Sequence, residues 1–163
     1  MSSSTYRAPL RSHRDEIPAG LAIDRALTLG LCGFGGRLDR FPTDLDDALT
    51  ATDLLYGERA ARRLRRFAEV PDGAFVWTRE PDGLYHLGRL TGPWRYDPDP
   101  AAVVADLVHV RDCEWSPEPF PEPAVPSGTA YTFSRGGRNF QRIRDAATEV
   151  QTEKLWVSGG EAD

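Results

Sequence analysis

The chain predicts an α+β domain built on a small curled sheet or barrel, and three observations carry this. Short apolar stretches separated by Gly-, Pro- and Asp-rich turns recur from Ala74 to Trp115. A helical pattern with an acidic opening interrupts the order at Thr43–Phe67, and a second closes it at Asn139–Leu155. The order β–α–β–β–β–β–α, with short strands joined by turns, suits helices flanking one curled sheet. At 163 residues and 40% apolar content the chain makes one domain with a genuine core.

Taken in order, residues 1–17 read as a disordered tail: Ser2–Thr5 and then scattered charge offer nothing to bury. Leu21–Phe34 is the first ordered segment and supplies the first strand, with Leu21, Ile23, Leu27, Leu29 and Leu31 as its apolar positions. It ends in Gly30-Leu-Cys-Gly-Phe-Gly-Gly36, a mobile turn or a backbone cradle for the edge of a ligand. Thr43 or Asp44 caps the next helix, and Tyr56-Gly57 breaks it into two. After the turn Pro71-Asp72-Gly73, strands Ala74–Arg79 and Leu84–Thr91 flank a hairpin loop at Glu80–Gly83.

Gly92-Pro93 stops the second of these strands, and Trp94-Arg95-Tyr96 follow at its exit. Asp97–Pro100 open a loop before the strand Asp106–Trp115. Pro117–Pro126 form a semi-rigid connector wrapping the domain, Tyr131–Phe133 the last strand, and Asn139–Leu155 a helix with Phe140, Ile143, Ala147 and Val150 on one side. The ordered domain runs over 18–156, with 157–163 as a second tail.

Composition bounds the function. No apolar run approaches the length of a membrane span, and Met1–Arg14 has no apolar core of a secretory signal, so a cytoplasmic location and reduced Cys32 and Cys113 are expected. The net charge is −5, yet two windows are basic: Glu58–Phe67 (Arg59, Arg62, Arg63, Arg65, Arg66) and Tyr131–Arg144 (Arg135, Arg138, Arg142, Arg144). Lys154 is the only lysine among 20 basic residues. Arginine forks onto phosphate and stacks on planar groups, although a GC-rich genome accounts for much of this bias.

No chemistry-bearing motif stands out. The glycines lack the register of a dinucleotide fingerprint and the Lys-Ser/Thr of a phosphate loop. His13, His86 and His109 lack metal-ligand spacing, no nucleophile elbow is present, and neither a catalytic residue nor a cofactor or metal is expected. Trp77 and Trp115 lie inside apolar strands and read as core. His109 and Arg111 share a strand face that meets a ligand or solvent. Trp94, Arg95 and Tyr96 sit between turns, where an aromatic–Arg–aromatic cluster suits stacking on a flat ligand.

Five phrases occur in a telling order: Ala26–Asp39, Arg65-Arg66-Phe67-Ala68, Asp72–Val76, Leu87-Gly-Arg-Leu-Thr-Gly-Pro-Trp-Arg-Tyr96 and Val108-His-Val-Arg-Asp-Cys-Glu-Trp115. Together they resemble the PUA-like modified-base readers, namely the EVE and YTH relatives and the N-terminal domains of Mrr- and McrB-type restriction proteins, over roughly Leu21–Arg144. The chain also looks like the small free-standing 5-methylcytosine-binding proteins.

The resemblance implies a curled β-barrel of five to six strands flanked by helices, holding a flipped base in an aromatic cage. Its first wall is Cys32, Gly33 and Phe34, its second Trp94, Arg95 and Tyr96, with Trp115 at the far end of the next strand. Cys32 stands where relatives often carry tryptophan, which leaves the identity of the base open. The expected partner is double-stranded DNA carrying a modified base, gripped through its backbone by Arg62, Arg66, Arg135 and Arg138. An RNA reader on the same scaffold and a small restriction-associated nuclease or toxin are the alternatives.

Overall fold

One seven-stranded sheet draws its strands from the whole length of the chain. In the computed structural model, which describes residues 3–161, the strands are β1 (Thr5–Arg7), β2 (Leu31–Phe34), β3 (Phe75–Arg79), β4 (Tyr85–Leu90), β5 (Arg95–Tyr96), β6 (His109–Trp115) and β7 (Gln141–Arg142). Their order is β2-β6-β4-β3-β1-β7, with β5 also on β6. Only β1 and β3 run parallel. The sheet curls into a half-barrel flanked by helices, as expected for a PUA-like barrel.

The curl has a local cause. β4 pairs with the end of β6 up to Leu90↔Cys113, and the Thr91 N–H still donates to the Asp112 carbonyl at 3.0 Å. Pairing resumes at Arg95↔Val110, so Gly92, Pro93 and Trp94 face Arg111 alone. Extra residues on one strand bend it sharply. Gly92-Pro93 therefore kinks the strand, which resumes as β5 beyond it.

Helices α2 (Leu45–Tyr56) and α3 (Glu58–Glu69) match the sequence reading, and Asp44 caps α2 by accepting from the Asp47 N–H at 2.8 Å. α1 (Leu21–Leu29) replaces the expected first strand. Its buried residues Ala22, Ile23 and Ala26 follow helical spacing, and only Leu31 onward is strand. The Asp97–Pro100 loop opens α4 (Pro100–Ala105), with Asp99 as cap and proline in the first turn.

The Tyr131–Phe133 strand is instead helical, within α5 (Ser127–Ser134). The last helix, α6 (Ala146–Glu161), starts later than expected because Gln141–Arg142 pair with β1. Its inner face is Thr148 and Thr152 and not Ala147 and Val150; Thr152 accepts from the Trp77 indole N–H at 3.0 Å.

Both expected tails need correction. Thr5–Arg7 is a full member of the sheet, and Thr5, Arg7, Ala8 and Leu10 are buried. The register explains why a polar stretch is held: β1 lies between β3 and β7, which satisfy its backbone on both sides. At the other end α6 continues to Glu161, and positions 1, 2, 162 and 163 lie outside the described residues.

Candidate functional site

The site is built where β2 leaves the sheet. Gly33 crosses so close to β6 that a Cβ there would lie 1.8 Å from the His109 carbonyl oxygen, and only glycine fits. Gly35 faces Asp106, whose carboxylate would lie 2.2 Å from a Cβ at that position. Gly36 turns at φ +115° and donates its N–H to the Asp106 carboxylate at 3.2 Å. Asp106 itself adopts φ +53° at the end of α4 and also accepts from the Ser12 hydroxyl. The glycine-rich bend is thus a built corner around a carboxylate.

Beside this corner lies a cavity of about 490 Å³, within the ordinary range of small-ligand sites. Its apolar walls are Phe34, Tyr56, Ala60, Leu64 and Phe140; Asp106, Asn139, Arg63 and Arg138 supply the polar edge. A second depression of about 830 Å³ adjoins it, and Arg63, Asn139 and Phe140 line both. Among the described residues this groove carries six arginines (Arg59, Arg62, Arg63, Arg66, Arg142 and Arg144) against a single glutamate, Glu69. Among the described residues Arg62 pairs with Glu58 at 2.8 Å and Arg142 with Glu149 at 3.3 Å, and the other four form no ion pair. An aromatic chain joins groove and cavity. Tyr6 stacks on Phe140 at 5.0 Å, Phe140 meets Phe67 edge-on at 5.0 Å, and Phe67 packs on Phe34 at 4.9 Å.

The expected cage is only partly assembled. Phe34 lines the cavity. Trp94 and Tyr96 stand behind His109: the Trp94 indole N–H donates to His109 Nδ1 at 3.2 Å, and the Tyr96 hydroxyl accepts from the Leu38 N–H at 3.0 Å. Arg95 points to solvent and pairs with Asp112 at 2.8 Å. Cys32 is fully buried in the core, its thiol pushed up to about 12 by burial, so it is neither a wall nor a reactive thiolate. Trp115 packs against the core from the other end of β6 and donates to the Leu31 carbonyl at 3.0 Å. Beyond the kink at Gly92–Trp94, Trp94 and Tyr96 pack on His109 and Arg95 faces solvent, so none of the three lines the cavity.

Of the four expected backbone arginines, Arg62 and Arg66 line the basic groove. Arg138 lines the cavity but is committed to Asp15 and the Ser12 carbonyl, each at 2.8 Å. Arg135 lies over the Tyr131 ring, away from both depressions.

His109 and Arg111 are both buried and their shared face does not meet bulk solvent; the His109 ring backs the cavity, whereas Arg111 is not among the residues that line it. His109 accepts from Trp94 at Nδ1, so its proton sits on Nε2 and points to the Gly36 carbonyl at 3.1 Å. Burial draws its pKa down to about 4 against the smaller opposing pull of the Gly36 bond and the Asp106 charge, leaving a neutral ring with both nitrogens used. Arg111 donates to the carbonyls of Phe67, Val70 and Gly92 at 2.6–2.9 Å and to Asp72 at 2.8 Å. It closes the C-terminal end of α3, where carbonyls lack helical partners.

Asp106, Tyr56, Arg63, Asn139 and Phe140 are site residues that the sequence reading missed. The two arginine windows were the available signal for Arg63; the others carry none, since the fold alone brings them together. Among the described residues no group of three or more His, Cys, Asp or Glu is placed to hold a metal ion, and no helix is long and apolar enough to cross a membrane. The chain matches no family model, no curated protein and no solved structure in such comparisons.

Proposed function

We propose that the protein is a DNA-binding module and not an enzyme, a PUA-like reader that takes one extruded, modified base into the cavity beside Phe34. The base is 5-methylcytosine in this reading, and the arginine groove holds the strand it comes from. The observation that supports this best is the shared wall of Arg63, Asn139 and Phe140, which sets a largely apolar cavity beside a cationic track. Drawing a base from a duplex costs a few kcal/mol. Stacking on an aromatic ring returns roughly 1–3 kcal/mol, and arginine–phosphate contacts supply the rest in a salt-dependent way.

The walls in this reading are Phe34, Tyr56 and Phe140, in place of Trp94 and Tyr96. A methyl group against them adds about 1 kcal/mol, so discrimination by the methyl alone is about tenfold at most. Anisotropy titration of one duplex with and without a single 5-methylcytosine tests the reading. The methylated duplex should bind more tightly, with the preference lost in Phe34→Leu. Equal affinities that Phe34→Leu leaves unchanged would defeat it, and a matched RNA that competes better than either duplex would move the reading to RNA.

A further inference from the structure

Asp106 is an unusual occupant for a largely apolar cavity. The residue is 7% exposed and shares the cavity lining with Phe34, Leu64 and Phe140 and with His13, Arg14, Arg37, Arg63 and Arg138. Burying a charge without a partner is costly, yet Asp106 forms no ion pair among the described residues. Its donors are two neutral groups, the Ser12 hydroxyl and the Gly36 N–H. An ionised carboxylate accepts about four hydrogen bonds, so acceptor capacity remains on a group that glycine at position 35 lets into the corner. The ring of His109 adds no competing donor, its only N–H being directed to the Gly36 carbonyl. We infer that Asp106 is the specificity determinant of the cavity and selects a base that carries an exocyclic amino group. This rests on the base-reading function proposed above.

The chemistry is one-sided. The N4 amino group of cytosine, or the N6 of adenine, donates to a carboxylate. The O4 of thymine or uracil presents a second acceptor to it, and a buried acceptor facing another loses its hydrogen bond and is repelled. 5-Methylcytosine and thymine carry the same methyl group and differ at this edge, so they isolate the effect. The probe is a labelled duplex holding either base opposite an abasic site, which equalises the cost of extrusion.

The native protein should bind the 5-methylcytosine probe at least about tenfold more tightly than the thymine probe. In Asp106→Asn that ratio should fall to about threefold or less, because an amide turns either its donor or its acceptor toward the base. Asparagine also tolerates positive φ and retains an acceptor for the Gly36 N–H, so the variant is expected to fold. The native comparison needs no variant in any case. Two equal affinities in the native protein, with binding still weakened by Arg62→Ala combined with Arg66→Ala, overturn the role of Asp106 and leave the base-reading function standing. No binding to either probe, or binding that the arginine double variant leaves untouched, overturns both.

Discussion

His109 shows how much of the site depends on a single protonation state. Its Nδ1 must accept from Trp94 while Nε2 carries the proton toward Gly36. A second proton would displace Trp94 and charge a buried ring. The folded-state pKa of about 4 lies below the ordinary 6.5 of the unfolded chain, so the unfolded state binds more protons between those values. Stability is therefore complete above about pH 6.5 and lost as pH falls toward 4, by on the order of 3 kcal/mol from this residue. Urea unfolding across that window should show the fall. His109→Gln, less stable at neutral pH, should show a shallower one, and parallel curves would refute the assignment. Sequence alone does not give this state: His109 sits on a strand face of undetermined contents, and only the packing of Phe34, Trp94 and Tyr96 around it buries the ring. The buried threonines were hidden for a related reason. Thr5, Thr78, Thr129, Thr148 and Thr152 look polar but fill core positions, so apolar periodicity points to alanine and valine for the inner face of α6.

At the level of elements, legibility followed the strength of local signals. α2 and α3 were readable because Asp44 caps one and Gly57, at φ +98°, separates them. α1 reads as a strand in the sequence since its leucines alternate, while Ala22, Ile23 and Ala26 carry the buried helical face. β1 was invisible because its order comes from two neighbours distant in sequence. The end of α3 is likewise held from afar, by Arg111 on β6. Replacing that residue with methionine keeps an apolar stem of similar length but strands the carbonyls of Val70 and Gly92 and leaves that of Phe67 with the Val70 N–H alone. Buried groups left unpaired cost about 1–3 kcal/mol each, so Arg111→Met should lose roughly 3–5 kcal/mol in urea unfolding. A loss below about 1 kcal/mol would show that α3 is closed by other means. Gly35→Ala tests the neighbouring corner. Its methyl would displace the Asp106 carboxylate, and the expected readout is a drop in thermal midpoint with loss of the 5-methylcytosine over thymine preference.

Across the whole molecule, an acidic chain of net charge −5 gathers six of its arginines along one groove. The sequence showed two arginine windows about seventy residues apart, and pairing of β7 with β1 brings Arg142 and Arg144 to the same groove as Arg59, Arg62, Arg63 and Arg66. On α3, Arg59, Arg62 and Arg66 follow each other at three- and four-residue spacing, which stacks them along one helix face. If the groove engages three to four phosphates of a duplex, the logarithm of the association constant should fall with the logarithm of salt at a slope of about −3 to −4, from roughly −0.9 per phosphate. Arg62→Ala combined with Arg66→Ala should flatten that slope by about 2 and weaken methylated and unmethylated duplexes alike, because phosphate contacts carry no sequence information. Phe34→Leu should do the reverse, removing the preference for the modified base and leaving the slope in place. A slope that the arginine variants leave unchanged would place the strand elsewhere. Arg65 and Arg135, exposed members of the two arginine windows, are outside the groove and give the control: Arg135→Ala should alter neither slope nor preference.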